Sequence, residues 1–275
     1  MLRYDYSHPE WKATSTRPGD PPLSHLGHQQ ARETGVFLDN YIHNEGISVE
    51  NITWLSSPFV RCLQTSDDAL NMMQLLDTDL VPILPEYSVF EMDGHDGKMH
   101  ESLPPIEERA HYFPRLNASH ESLFYPPLPE AREGLLPRCD KAMKLFNKRY
   151  RYSPKTAFII VTHAAGCVGL VRAASQTKLA DITPAAPCGI FLLTRTADVE
   201  TWSIDQHDAP NSMNGFTQHI SNMGTATKIW NHFGDKSVNI GYTGPPTSRY
   251  APSNYAMQPP PPKGSGIPAD KAGEL

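Results

Sequence analysis

The 275-residue chain lacks a long hydrophobic run. No apolar stretch approaches the ~20 residues that a helix needs to cross a bilayer, which excludes a helical membrane protein. A basic excess is missing too. Lys and Arg number 24 against 30 Asp and Glu, for a net charge of −6. Proteins that neutralise the phosphates of a nucleic acid present a basic face, and without a basic stripe nucleic acid is not an expected partner. Cysteines are few and scattered, at Cys62, Cys139, Cys167 and Cys188. They form no C-x-x-C pair and no Cys/His cluster with zinc-site spacing, so no metal site is expected. Scattered thiols fit a reducing compartment. The first 25 residues have no basic segment followed by an apolar one, as a secretory signal would. They are polar and include Pro9, Pro18, Pro21 and Pro22. The expectation is a cytoplasmic chain with no membrane attachment.

Proline, by contrast, is abundant, at 26 residues. Eight of these fall in 244–275, including Pro259 to Pro262, with Gly and Ser around them. Such a segment buries too little apolar area to offset its ordering entropy. It is expected to be a disordered tail, and an extended Pro-rich segment suits a partner with an aromatic groove. Residues 1–243 read as one domain, with an irregular insertion over about 93–130 rich in Pro, His and Glu.

Within that domain helical and strand patterns alternate. Ser24 is placed to cap a helix running to Ile42. Ile52–Leu55 is a short apolar run, and a helix follows from Arg61 or Cys62 to about Leu76. Leu80–Leu84 is a second strand candidate, and Arg132–Arg149 is helical. Ala157-Phe158-Ile159-Ile160-Val161 is a continuous apolar run, the pattern of a strand buried on both faces. A helix from Val168 to about Ser175 comes next. Gly189–Thr194 and Glu200–Ile204 form a closing hairpin around Thr196-Ala197-Asp198. This order predicts an α/β three-layer sandwich with a mainly parallel sheet flanked by helices, made mixed by the last hairpin.

In open α/β sheets ligands gather beyond the carboxyl ends of the strands. Three segments lie there. Ser56-Ser57-Pro58-Phe59-Val60-Arg61 sets Arg61 at a helix start, where the helix favours anions and the guanidinium offers a planar fork of donors. Thr162-His163-Ala164-Ala165-Gly166 puts His163 at the end of the apolar strand, beside small residues that let a ligand approach. Glu91 follows Val89-Phe90 and has the chemistry of a general acid, although Glu86, Asp93 and Asp96 compete with it.

Together these segments resemble the histidine phosphatase superfamily, which has the phosphoglycerate mutase-like fold. Asp20-Pro21-Pro22-Leu23-Ser24-x-x-Gly27-x-x-Gln30-Ala31 is similar to the family's PLTxxGxxQA segment. Ser56-Ser57-Pro58-x-x-Arg61-Cys62-x-Gln64-Thr65 is similar to its SSPxxRxxQT, and Val161-Thr162-His163-Ala164-Ala165-Gly166 to its VTHGG or VSHAG. Phe90-Glu91 falls where the family places its acid. The resemblance covers roughly residues 3–205. It implies phosphomonoester hydrolysis through a phosphohistidine, with no metal or other cofactor expected. Arg61 and His163 would bind phosphate, His163 would also stabilise transition-state charge, and Glu91 would protonate the leaving group. The expected partner is a small phosphorylated molecule or a phosphoprotein.

The family's nucleophile lies in an Arg-His-Gly motif at the end of its first strand, and this sequence has no such motif. In one register Arg3-Tyr4-Asp5 replaces it. In the other, preferred here, Arg3 is the second arginine of an Arg-His-Gly-x-Arg form and would bind phosphate. Neither register supplies the first strand, so its neighbours are expected to carry unpaired backbone groups. His8 and Tyr4 are poor substitutes for the nucleophile. The chain is therefore expected to be an inactive or truncated phosphatase-like protein. The alternative is a pseudophosphatase that binds a phosphorylated ligand or acts as a scaffold.

Overall fold

The computed structural model describes residues 3–78, 81–92, 99–182, 185, 187–197 and 199–204. The Pro-rich tail, the domain boundary at 243, Leu80, Asp93, Asp96 and Asp198 lie outside the described residues. Seven α-helices are described: α1 (Tyr4–Ser7), α2 (Pro9–Thr14), α3 (His25–Asn44), α4 (Val60–Met72), α5 (Ile106–Ala110), α6 (Leu135–Arg149) and α7 (Ala164–Ser175). The described strands are β1 (Ile52–Ser56), β2 (Ile83–Pro85), β3 (Ala157–Val161), β4 (Leu193–Thr194) and β5 (Ser203–Ile204).

The central sheet has the order β2-β1-β3, and both pairs are parallel. Trp54 of β1 stands opposite Ile83 of β2 and Ile159 of β3. Side chains alternate across a strand, and here the alternation builds two cores. Ile52, Trp54, Ile83 and Ile159 pack with Leu63 and Leu70 of α4 and Ile42 of α3. Leu55, Leu84, Phe158 and Ile160 pack on the other face with Met143 and Phe146 of α6 and Leu170 of α7. Helices therefore cover both faces of a parallel sheet, which is the predicted three-layer α/β sandwich. β4 and β5 pair antiparallel as the predicted hairpin. Among the described residues that hairpin is a separate two-stranded ribbon, not bonded to the central sheet.

Local chemistry accounts for the helix limits. The Ser24 hydroxyl accepts from the Gly27 N–H at 3.0 Å, and α3 begins directly after it. α4 stops at Met72, short of the predicted Leu76. The buried Asp39 carboxylate draws the chain out of the helix there, accepting from the N–H groups of Gln74 and Leu75 at 2.8 and 2.7 Å. α3 and α4 touch closely at Gly35, where an added Cβ would collide with the Ala69 carbonyl. Of the 93–130 segment, residues 99–130 are described, and outside α5 and a short turn of helix at Met99–Ser102 they form no helix or strand.

Other sequence expectations also need correction, and α7 begins at Ala164, before the expected Val168. β3 has the predicted limits, yet all five of its residues are only half-buried. β1 is its one described neighbour, so the other edge borders a groove. The strands predicted over Gly189–Thr194 and Glu200–Ile204 shrink to two residues each. Apolar sequence supplies the propensity for a strand, but a ladder also needs a neighbour, and Gly189–Leu192 have none among the described residues. Among those residues no helix is long and apolar enough to cross a membrane.

Candidate active site

The groove has a volume of about 1010 Å³, and Arg3, Arg61, Glu91 and His163 all line it. The structure thus brings together the residues singled out in the sequence, at the carboxyl ends of β1 and β3. Each is placed by a short local arrangement. β1 ends at Ser56, and the Ser57 N–H continues the ladder by donating to the Val161 carbonyl at 2.9 Å. The chain then turns into α4, whose second residue is Arg61. The first N–H of that helix, from Val60, is accepted by the Asp20 carboxylate at 2.9 Å. His163 is the residue immediately before α7. Gly166 is required one turn later because a Cβ there would lie 2.7 Å from Thr162 Oγ1.

Arg61 is 3% exposed. Its Nη2 donates to Glu91 Oε2 at 3.2 Å, and its Nη1 sits 3.8 Å from Asp20 Oδ1. The buried Nη1 makes no hydrogen bond, which leaves a charged donor unsatisfied in the pocket. The guanidinium also lies over the Phe59 ring, 4.5 Å from its centroid. Arg109, from the 93–130 segment, pairs with Asp20 from the other side. Asp20 is therefore held by two arginines and a helix N-terminus, and it fixes the approach to α4.

His163 is 6% exposed and lies edge-on to Phe59. Its Nδ1 is 3.1 Å from Glu91 Oε2, and its Nε2 is 2.8 Å from Ser57 Oγ. Burial pushes its pKa well below the ordinary histidine value. Glu91 opposes that shift and Arg61 adds to it. Burial alone would raise the pKa of Glu91. The His163 ring, its hydrogen bond, and the charges of Arg61 and Arg3 outweigh burial and hold the carboxyl below the usual range. An ionised carboxylate only accepts, so a neutral His163 donates from Nδ1 to Glu91. Nε2 then accepts from the Ser57 hydroxyl.

One oxygen of Glu91 thus meets both Arg61 and His163, the two donors predicted for phosphate. Arg3 lines the same groove and forms a two-point pair with Asp5, at 3.0 and 2.6 Å. A bridge to Leu23 and a 2.8 Å bond from the Tyr4 N–H to the Pro22 carbonyl fix the backbone of Arg3. His8 stacks on Tyr4 with ring centroids 4.0 Å apart. Among the described residues that line the groove, His163 is the one histidine. No group of metal-ligating side chains was found among the described residues.

Several contributors escaped the sequence reading. Ser57 and Asp20 stood inside quoted segments without a role, although a serine before proline at a strand end and an acid before two prolines are visible signals. Arg138 gave no signal. It is buried in α6, pairs at two points with Glu130 (2.6 and 3.0 Å) and donates to the Ser88 carbonyl at 2.8 Å. That clamp steadies the Tyr87–Val89 turn which delivers Glu91. Glu86, a competing acid, is engaged elsewhere and accepts from the Ser88 and Leu123 N–H groups.

No curated protein matches the chain. Among solved structures it is similar to the ecdysone phosphate phosphatase of Bombix mori in complex with tungstate, with 19% sequence identity and a TM-score of 0.49. That match covers 70% of this chain and 73% of the other. The family model of the histidine phosphatase superfamily (branch 1) matches residues 8–205, a span that holds Arg61, Glu91 and His163 and leaves out Arg3. With more than half of its length matched, the chain belongs to the histidine phosphatase superfamily.

Proposed function

We propose that the chain binds phosphomonoesters, on small molecules or on phosphoproteins, at the end of the groove where Arg61, His163 and Arg3 meet. The buried Arg61 guanidinium carries this reading. It has one N–H group without a hydrogen bond and another on a carboxylate that also meets His163. A phosphate dianion offers more acceptor oxygens than Glu91 and satisfies the Arg61 guanidinium and the His163 Nδ1–H at once. Binding displaces Glu91 from Arg61, and the nearby negative charge raises the Glu91 pKa. A protonated Glu91 at the rim is then placed to act as the acid for a leaving oxygen.

Turnover through a phosphohistidine needs a histidine in line with the ester and a second group to stabilise the transferring phosphoryl. His163 has its ring nitrogens on Glu91 and Ser57, which suits the second role. The chain is therefore read as a ligand-binding member of a phosphatase family, inactive on its own. Calorimetry with phenyl phosphate tests the binding. Arg61→Ala removes charge-assisted hydrogen bonds of roughly 1.5–3 kcal/mol, so affinity should fall about ten- to hundredfold. Equal affinity in the variant would exclude this pocket. Release of nitrophenol from an aryl phosphate by the wild-type chain, abolished in His163→Ala, would overturn the inactive assignment.

A further inference from the structure

The outer face of α6 carries charge that its surroundings do not neutralise. Residues 141–156 hold six cations, Lys141, Lys144, Lys148, Arg149, Arg151 and Lys155, and no acid. The buried residues of α6 include Arg138, Cys139, Ala142, Met143 and Phe146. At 3.6 residues per turn, Lys141, Lys144 and Lys148 share the opposite face, three and four residues apart. Lys144, Lys148 and Arg151 are exposed. Lys141 lies over the Phe124 ring, with Nζ 4.4 Å from its centroid. Arg149 donates to the Glu121 and Ser122 carbonyls at 2.6 and 3.4 Å, and Lys155 to the Glu45 carbonyl at 2.6 Å. None of the six meets a carboxylate among the described residues. Elsewhere cations are neutralised on the spot: Arg17 by Glu108, Arg32 by Asp68, Arg138 by Glu130. Asp140, one turn before Lys144, is taken by Arg172 at 2.6 Å. The helix dipole favours Lys148 and Arg149 in the last turn but does nothing for Lys141 and Lys144 in mid-helix. Like charges three or four apart also destabilise a helix.

We propose that this stripe docks a short acidic segment of a partner protein, laid in extended form along α6. Side chains on one face of an extended chain recur every ~6.6 Å. The lysines recur at about one helical turn, or ~5.4 Å. Carboxylates at alternate positions therefore fall within reach of successive lysines, whose flexible four-carbon stems take up the difference. From Lys141 to Lys148 the helix rises about 10 Å, and Arg151 lengthens the stripe, so a segment of about five residues covers it. Charge balance favours a short segment. The chain carries a net −6, so a nucleic acid or an anionic membrane would press its charge against the acidic remainder of the surface, whereas a short peptide meets the stripe alone. Phosphate-rich ligands are best met by guanidinium forks, and Arg149 spends its fork on two carbonyls. Lys141, Lys144 and Lys148 do not line the groove that holds Arg61 and His163, so this inference is independent of phosphate binding.

The test uses the full chain and a fluorescein-labelled peptide that alternates glutamate and serine. The same peptide with glutamine replacing glutamate is the control. At about 10 mM salt, where charges are little screened, anisotropy should show saturable binding of the acidic peptide, at least about tenfold tighter than the control. That binding should weaken steadily as salt rises to about 150 mM. An exposed ion pair changes affinity by up to about fivefold, so Lys144→Gln combined with Lys148→Gln should weaken binding about three- to tenfold. Lys12→Gln combined with Lys178→Gln removes the same charge from exposed positions elsewhere and should leave binding unchanged. The absence of saturable binding would overturn the proposal. So would equal binding of the two peptides, or a loss in the second double variant as large as in the first. Displacement of the peptide by phenyl phosphate would move it to the anion pocket and overturn the proposal too. A DNA duplex or phosphatidylserine vesicles held more tightly than the peptide through Lys144 and Lys148 would give the stripe to another polyanion and overturn it equally.

Discussion

Two titrating residues at the centre of the site, His163 and Glu91, make it sensitive to acid. His163 is held below its ordinary value by burial first. A histidine with a lowered native pKa is protonated more readily when unfolded. Its contribution is complete above the unfolded value near 6.5 and is lost as pH falls below it. Glu91, held low by the facing cations, adds a second loss once pH drops below the unfolded carboxylate range near ~4.3. Urea unfolding between about pH 7 and pH 5 should therefore show stability falling in the wild type. His163→Gln keeps one donor and one acceptor without titrating, so it should flatten that fall. Parallel pH profiles in the two proteins would refute the assignment of a buried neutral imidazole.

Sequence legibility at the level of elements depended on how local each signal was. Ala157–Val161 was readable to the residue because a continuous apolar run is a property of the run itself. α3 was readable because Ser24 and its Gly27 bond lie within one turn. The extent of the hairpin was not, because Gly189–Leu192 have strand sequence and a ladder depends on what lies beside them. The half-burial of β3 was hidden for the same reason. Arg61 and His163 could be argued from strand ends and helix starts, whereas Glu91 was chosen over Glu86 by resemblance. What separates the two acids is tertiary: Glu86 is consumed by the Leu123 and Ser88 amides, while Glu91 is left to face Arg61 and His163.

Packing between elements gives a sharper test at Gly35. Alanine is ordinarily better than glycine inside a helix by up to about 1 kcal/mol. At Gly35 the added methyl would run into the Ala69 backbone of α4, which cannot move without shifting the helix. Overpacking of this kind costs roughly 1–3 kcal/mol, so the steric effect wins. Gly35→Ala should lower the thermal midpoint, and an unchanged or raised midpoint would show that α3 and α4 separate easily.

The molecule as a whole is held unevenly. β1 is paired on both sides and sits between two apolar cores, so its amides open only when most of the sandwich does. The β4–β5 ribbon has two residue pairs and no described bond to the central sheet. It is tied to the helical layer instead. Trp202 donates its backbone N–H to the Ala174 carbonyl and its indole N–H to Asn147, both at 3.0 Å, and Leu193 and Ile204 pack on the Val168–Val171 cluster of α7. Regions with few buried contacts and short ladders open at lower free energy than the global transition. Native-state hydrogen exchange should therefore find the ribbon amides exchanging at least about tenfold faster than those of Trp54 and Leu55. If the ribbon is as protected as β1 in the free chain, the groove is already bridged, and the sheet continues across it.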